Sequence, residues 1–479
     1  LRLDFFVCGF LAQCTLADSL SMSTEFGTVV GITGPVWYAI AAQMPVILFT
    51  IMLIRFRMIA PGARTFLHVV NARFGRTAHI LLCVLSLSNN ISFVVRVIGM
   101  GNKIFTAISS GVTFNLVWIV NITIAAIFVG CAKLRQAFLV SAFGAVFILI
   151  STLVFFVGCA QRINWHNFKI SLLSYHMFRF SVNTYIFMDQ SVWQSCSYAE
   201  PGEESLGVMI SSILWMAIPY AFGTACSAGF ISLVSQKELN EMTPNEIAGK
   251  WLAIFKVAKS ISITENLVVK VSDFSNSIGS ILTTTLGPLV YTFFWDGMTS
   301  NGIVIGTLLS TSIIAFMWHM LNLLEIIKVG KDLSDVILYA IAIILGFVLP
   351  PLVVFIEKMW KRIHGKTWLS PLHSSWARVY EMDNPLDPCA FDYAKSFSLA
   401  NFDMQSYNRP SFQEVKRAYR FSWYFALAGP FLFCFFFVGV MPMMFSIVNS
   451  MDLVTFKAWV SYTNRPVINQ ITHGGVSSV

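Results

Sequence analysis

Charge is what this 479-residue chain has least of. Only 12% of its residues are Asp, Glu, Lys or Arg, against about 25% in soluble globular proteins, while 56% are apolar and 14% aromatic. With a mean hydropathy of +0.69, a water-soluble globule and a disordered chain are both excluded. The 29 glycines and 16 prolines are too few over this length for a collagen-like or low-complexity protein. Nine cysteines form no Cys-x-x-Cys pair and lie mostly in apolar runs, so they read as small core residues and exclude a disulfide scaffold. Also absent are a phosphate-binding loop, a hydrolase elbow, a His-Glu-x-x-His string and any ligand spacing among the eight histidines. The chain is therefore not read as an enzyme, no cofactor is expected, and no metal site is legible.

What it does contain is long uncharged runs. Residues 26–54, 104–132, 136–161, 205–236, 274–295, 297–324, 336–356 and 421–451 hold no Asp, Glu, Lys or Arg. A helix crosses the hydrocarbon with roughly 20 apolar residues, so each run is long enough. A leader or a single anchor does not account for so many. The expected fold class is all-α, a polytopic membrane protein with about eleven spans near 5–26, 34–54, 78–99, 112–131, 137–158, 180–198, 206–234, 276–294, 301–320, 336–356 and 422–446. The net charge of +8 sits between the apolar runs without interleaved aromatics, which excludes nucleic acid as a partner and leaves the lipid bilayer and a small polar solute. Oligomeric state is not legible. Asn90-Ile-Ser92 and Asn121-Ile-Thr123 match the glycosylation pattern inside expected spans, where the modifying enzyme cannot reach.

Orientation follows the excess of Lys and Arg in short cytoplasmic loops. Arg55, Arg57, Arg64, Arg73 and Arg76 crowd the loop after the second span, and Lys133 and Arg135 follow the fourth. These loops share a side, and the hydrophilic stretch 357–420, with ten Lys and Arg, falls there too. The domain reading is a transmembrane core over 1–356, a cytoplasmic loop over 357–421, a last span over 422–451 and a polar tail over 452–479. Within the core, 235–275 carries five lysines on the opposite side and reads as a surface-lying amphipathic helix more naturally than as a span. The tail is expected to be disordered, and the start at Leu1 suggests a missing N-terminal piece.

Polar groups at membrane depth are costly and mark function by default. The first span carries Gln13, Thr15, Asp18, Ser23, Thr24 and Glu25. Such a run suits a discontinuous helix whose freed carbonyls and hydroxyls coordinate a cation and hydrogen-bond a polar solute; the alternative is a span ending near Ala17. The sixth span repeats the theme with Asp189, Trp193 and Gln194. Asp189 and Trp193, four apart, share a helical face on which a carboxylate sits beside an aromatic platform; the alternative is an interfacial segment. Asn89, Ser92 and Arg96 line one stripe of the third span. Arg96 is a candidate charge partner for Asp18 or Asp189, or it snorkels to the interface. Interrupted spans at positions one and six are what an inverted five-helix repeat requires, which favours a secondary transporter.

Specific strings sharpen this. Gly31-Ile-Thr-Gly34-Pro35-Val-Trp37-Tyr38-Ala39, Ala60-Pro61-Gly62-Ala63-Arg64-Thr65-Phe66-Leu67 and Ala72-Arg73-Phe74-Gly75-Arg-Thr-Ala78-His79-Ile80 resemble the urea active transporter branch of the sodium:solute symporter family. So do Lys133-Leu-Arg-Gln-Ala137-Phe138-Leu139, Asp189-Gln-Ser-Val-Trp193-Gln194-Ser195 and Trp215-Met-Ala217-Ile218-Pro219-Tyr220. The resemblance runs from about residue 10 to 235 and more weakly beyond Leu286. It implies a broken-helix, inverted-repeat symporter in the plasma membrane that moves a small neutral solute with a proton or sodium gradient. It also implies a solute site flanked by Gln13, Thr15, Ser23 and Thr24 on one side and by Asp189, Trp193 and Gln194 on the other. Two departures stand out: Asp18 replaces an expected small neutral residue, and 235–275 stands where the family has two spans and part of its cation site. The second repeat is thus expected to be incomplete. The alternatives to urea transport are a transport-inactive membrane protein from an incomplete gene model or splice form, and a symporter for a sugar or amino acid.

Overall fold

The structure is a computed structural model that describes residues 3–15, 17–30, 33–60, 63–108, 114–131, 134–160, 185–200, 202–233, 278–324, 331–365, 379 and 419–440. The readings of 235–275, of most of the 357–421 loop and of the tail lie outside the described residues. Thirteen α-helices are described: α1 (Leu3–Cys14), α2 (Ala17–Val30), α3 (Thr33–Ile59), α4 (Phe66–Phe74), α5 (Arg76–Ile108), α6 (Phe114–Cys131), α7 (Leu134–Ala160), α8 (Gln190–Ser197), α9 (Glu204–Leu233), α10 (Leu286–Phe294), α11 (Ser300–Leu324), α12 (Lys331–Ile363) and α13 (Arg420–Phe433), the last running into a π-helical segment, Cys434–Val440. Six are long and apolar enough to cross a membrane, and a seventh span results if α1 and α2 count as one. Every expected span but the sixth falls on a helix, the one at 276–294 only on a shorter apolar stretch, Ile278–Phe294. The sixth is corrected: among the described residues it holds a short turn at 185–188 and the eight-residue α8, too short to cross at 1.5 Å per residue. The polar density at 183–195 that marked it as a site also removes the apolar run a span needs.

The outer faces agree with lipid as the solvent. Ile80, Leu87, Ile91 and Val94 on α5, Ile119 and Ile127 on α6, and Phe143, Phe147 and Leu153 on α7 are exposed. Polar side chains are turned inward instead, with Ser86, Asn89 and Ser92 buried on the opposite face of α5.

Two groups of helices make up the described interior. In the first, α9 packs against α1, α2, α3 and α7; in the second, α10, α11 and α12 pack on one another. Hydrocarbon supplies no hydrophobic drive between helices, so close backbone approach through small residues matters more. On α2 and α9 the pairing is reciprocal: Gly223 abuts Ser23, and Gly27 abuts Ser227. A Cβ on either glycine would overlap the facing serine, and Ser23 Oγ donates to the Pro219 carbonyl at 2.5 Å. The second group uses the same device, with Gly287 against the Gly346 carbonyl and Gly306 against Pro350.

The loop arginines require a further correction. They do more than orient the chain, because three of the five are built into contacts. Arg57, in the last turn of α3, is buried against Glu204 in the first turn of α9, Nε to Oε1 3.1 Å. Arg55 Nε donates to the Phe293 carbonyl (3.3 Å), and buried Arg73 on α4 donates to the carbonyls of Tyr291 (3.3 Å), Thr292 (2.5 Å) and Trp295 (2.6 Å). Only Arg64 and Arg76 of the five are exposed. Gly75, at φ 85, closes α4 in the left-handed region that a Cβ disfavours, and Ser300 at the start of α11 donates to the Phe74 carbonyl (2.7 Å). We call this the arginine end. The C-terminal part of α12 reaches it through Thr299 Oγ1 donating to Glu357 (2.9 Å), and the start of α13 through Ser422 Oγ donating to the Gly202 carbonyl (2.6 Å). Both ends of the 357–420 stretch therefore sit with the arginines.

Candidate functional site

The first span is broken where its polar run begins. α1 and α2 meet at a 59° bend, and the chain supplies partners for the backbone groups the break releases. Thr15 folds back on α1, its Oγ1 donating to the Leu11 carbonyl (2.7 Å), and the Trp215 indole of α9 donates to the Cys14 carbonyl (3.0 Å). A helix terminus at membrane depth needs such substitutes for water.

Across from the break lies the turn before α8. Asp189 is the N-cap of α8, with Oδ1 accepting from the Ser191 amide (2.8 Å) and hydroxyl (2.8 Å). Gln13 Nε2 donates to the same Ser191 Oγ at 2.9 Å. Gln13, Ser191 and Asp189 thus form one chain of hydrogen bonds joining α1 to α8, with Ser191 exposed to the opening between them. Helix α5 staples the turn from behind: Ser86 Oγ donates to the Met188 carbonyl (3.1 Å), Gln190 Nε2 to Ser86 Oγ (3.2 Å) and Asn89 Nδ2 to the Tyr185 carbonyl (3.3 Å).

The remaining sequence candidates are distributed differently. Trp193 does not form a platform beside Asp189. It is wholly buried, its indole donating to the Phe187 carbonyl (2.9 Å), with Phe49, Phe56, Phe66 and Phe293 around it. Four residues along a helix share a face, but Asp189 is the cap and lies outside the helix, so the two groups diverge. Ser23 and Thr24 are buried too, Ser23 on the Pro219 carbonyl and Thr24 on its own Leu20 carbonyl (2.9 Å). They serve the α2–α9 seam. Asp18 lies in the first turn of α2, with its side chain outside the described residues, and Gln194 is half-buried on α8. Arg96 lies over the rings of Phe93 (5.8 Å) and Tyr185 (5.6 Å), an aromatic cradle the sequence reading did not anticipate.

One residue was missed. Gln43, inside α3, is 1% exposed, and its Oε1 has no hydrogen-bond partner. Its neighbour Ala42 packs with Leu11, Trp215 and Ile218, which puts Gln43 at the depth of the α1–α2 break. A buried amide oxygen left unsatisfied costs about 1–3 kcal/mol, so its retention needs a reason. The available signal was an amide side chain two before Pro45 in a largely apolar span. The hydroxyls of Thr283, Thr284 and Thr285, just before α10, are buried and donate to carbonyls of their own turn, those of Gly279, Ile281 and Leu282. Among the described residues no three His, Cys, Asp or Glu side chains gather as metal ligands.

The six long apolar helices define a helical, multi-pass integral membrane protein, and the break, the buried amide and the acidic turn are polar groups set among them. No family model matches the chain. It is 22% identical over 269 residues to the urea-proton symporter DUR3 of Oryza sativa subsp. japonica, covering 47% of this chain and 37% of that protein. It is 24% identical over 253 residues to the probable urea active transporter 1 of Schizosaccharomyces pombe, covering 47% and 38%, and 30% identical over 95 residues to the probable urea active transporter 3 of the same yeast, covering 20% and 14%. Each match thus spans less than two-fifths of the relative's length. These relatives are named as urea transporters, and none of them as an enzyme.

Proposed function

We propose that this protein carries urea or a similar small polar solute across the plasma membrane by secondary active transport, coupled to a proton or sodium gradient. The observation that carries the reading is the broken first span facing the Asp189 turn, with Gln43 unsatisfied at the same depth. Urea is planar, with one carbonyl acceptor and two amino donors. Gln43 Oε1 and the Asp189 carboxylate accept from amino groups, and the second N–H of the Gln13 amide donates to a carbonyl, while Ser191 gives its one proton to Asp189. A site that satisfies donors and acceptors together also rejects solutes lacking them, because its own groups are then left unpaired. Thr15, Asp18 and Gln194 are the other residues assigned to the pathway by this reading, and the names of the relatives, two probable urea active transporters and a urea-proton symporter, favour urea among the solutes.

Uptake of labelled urea into vesicles holding the full chain tests this, with an imposed proton gradient, an imposed sodium gradient and neither. Accumulation under one gradient is expected. Uptake indifferent to both would sink the reading. A second reading is a membrane protein that does not transport, favoured by the interruption of 235–275 by lysines and Glu265; a transcript carrying two further apolar runs there would remove its basis.

A further inference from the structure

Helix α12 is longer than the hydrocarbon is thick. Its 33 residues, Lys331–Ile363, measure about 50 Å at 1.5 Å per residue, against about 30 Å for the apolar layer. The uncharged run 336–356 fills that layer by itself, so the turns from Glu357 to Ile363 stand at headgroup depth. The bond from Thr299 to Glu357 sets them at the arginine end.

Around these turns the side chains are sorted. Val354 is buried against Gly302 of α11, and beside it Glu357 accepts from Thr299 on Oε2 and from Lys361 on Oε1 (2.9 Å each). On the other side Phe355, Met359 and Ile363 make one row of residues four apart, and Ile356 and Trp360 make the next. All five are exposed, Trp360 by 64% and Ile363 by 74%. An apolar helix face at headgroup depth is covered by acyl chains. Beside the Phe355 row runs a third, Lys358 and Arg362, again four apart and both exposed. Phe355 with Lys358, and Met359 with Arg362, are neighbours at a spacing of three, so each cation has an apolar side chain at its flank. Complementing the helix dipole accounts for Lys361 and Arg362 in the last turn, but not for Lys358 before it.

We propose that the last turns of α12 bind an anionic phospholipid of the leaflet at the arginine end, its headgroup on Lys358 and Arg362 and an acyl chain running inward along Met359 and Phe355. The charge row supplies the attraction for the headgroup, and the apolar row beside it fixes where the lipid lies.

The experiment places the full chain in vesicles of phosphatidylcholine and phosphatidylglycerol, with a trace of one lipid or the other carrying a diazirine beside its glycerol, and maps photo-cross-links by peptide mass spectrometry. Phosphatidylglycerol is expected to label 355–363 about tenfold more than phosphatidylcholine, the scale of two basic side chains at an anionic surface, and added salt is expected to lower the ratio. Lys358→Gln with Arg362→Gln is expected to bring the ratio close to that of equal labelling, while labelling at exposed Ile80, near the same end on α5, stays as in the wild type and shows the fold intact. Arg64→Gln with Arg76→Gln removes the same charge from exposed positions at this end and is expected to leave the ratio at 355–363 within about twofold. Equal labelling by the two lipids in the wild type overturns the site, and so does a preference that survives loss of Lys358 and Arg362. An equal fall on removing Arg64 and Arg76 overturns it too, since diffuse surface charge then suffices. Cross-linking does not depend on movement of a solute, so its outcome leaves the transport reading untouched.

Discussion

At the scale of single residues, what separates a structural polar group from a functional one here is whether its hydrogen-bonding capacity is used up. Ser23, Thr24 and the three threonines before α10 donate to carbonyls of their own or a neighbouring helix. Gln43 Oε1 accepts from no donor. Gln43→Leu is therefore expected to insert and fold as the wild type does, by detergent melting and gel filtration, while urea uptake falls at least tenfold, about 1.4 kcal/mol, the worth of one hydrogen bond to the solute. Trp193→Ala is expected to do the reverse first. By opening a cavity inside the aromatic cluster it costs about 3 kcal/mol of stability, seen as a lowered melting temperature before any effect on solute selectivity. The buried Arg57–Glu204 pair supplies a third case. Either Arg57→Met or Glu204→Leu alone strands a buried charge and is expected to cost about 3 kcal/mol, whereas the double substitution recovers most of that loss. A double change as costly as the sum of the two would show that the pair does not act as a unit.

At the scale of elements, the broken helix depends on a seam. α2 is held to α9 by Ser23 on Gly223 and Gly27 on Ser227, and α1 by the Trp215 indole on the Cys14 carbonyl. Gly27→Leu is expected to push α2 off α9 and disturb the break, lowering uptake while leaving α10–α12 intact; unaltered uptake with Leu at this position would show that the seam does not position the site. This is also where reading by residue spacing failed. Helical periodicity put Asp189 and Trp193 on one face, but it presumes that both lie within the helix. The cap position of Asp189 was decided by its own bonds to Ser191, and Trp193 followed the aromatic cluster inward. The break itself was legible, because a run of Thr, Asp, Ser and Glu inside an apolar span has no lipid-facing solution.

At the scale of the whole molecule, both ends of the 357–420 stretch are tied to the segments beside the arginines, Glu357 to Thr299 and Ser422 to Gly202. An epitope placed between residues 366 and 378 and one placed after Arg64 are thus expected to be accessible from one and the same side of sealed vesicles, the cytoplasmic side by the excess of basic residues. Access from opposite faces would overturn the arrangement. The sequence alone determined the solvent, the helical class and the positions of the long apolar helices, and it offered the break as one of two readings of the first span. Each of these follows from local matters, how many apolar residues run together and where charge interrupts them. Tertiary structure decided what no local pattern carries. It turned Arg55 and Arg73 from loop charges into caps on a distant helix end, made Trp193 the centre of a buried aromatic cluster and Ser23 part of a seam, and left the oxygen of Gln43 unpaired at the depth of the break. The reason is physical: in a medium without water, the fate of a polar group is set by which helix happens to face it, and that partner lies up to some two hundred residues away in the chain.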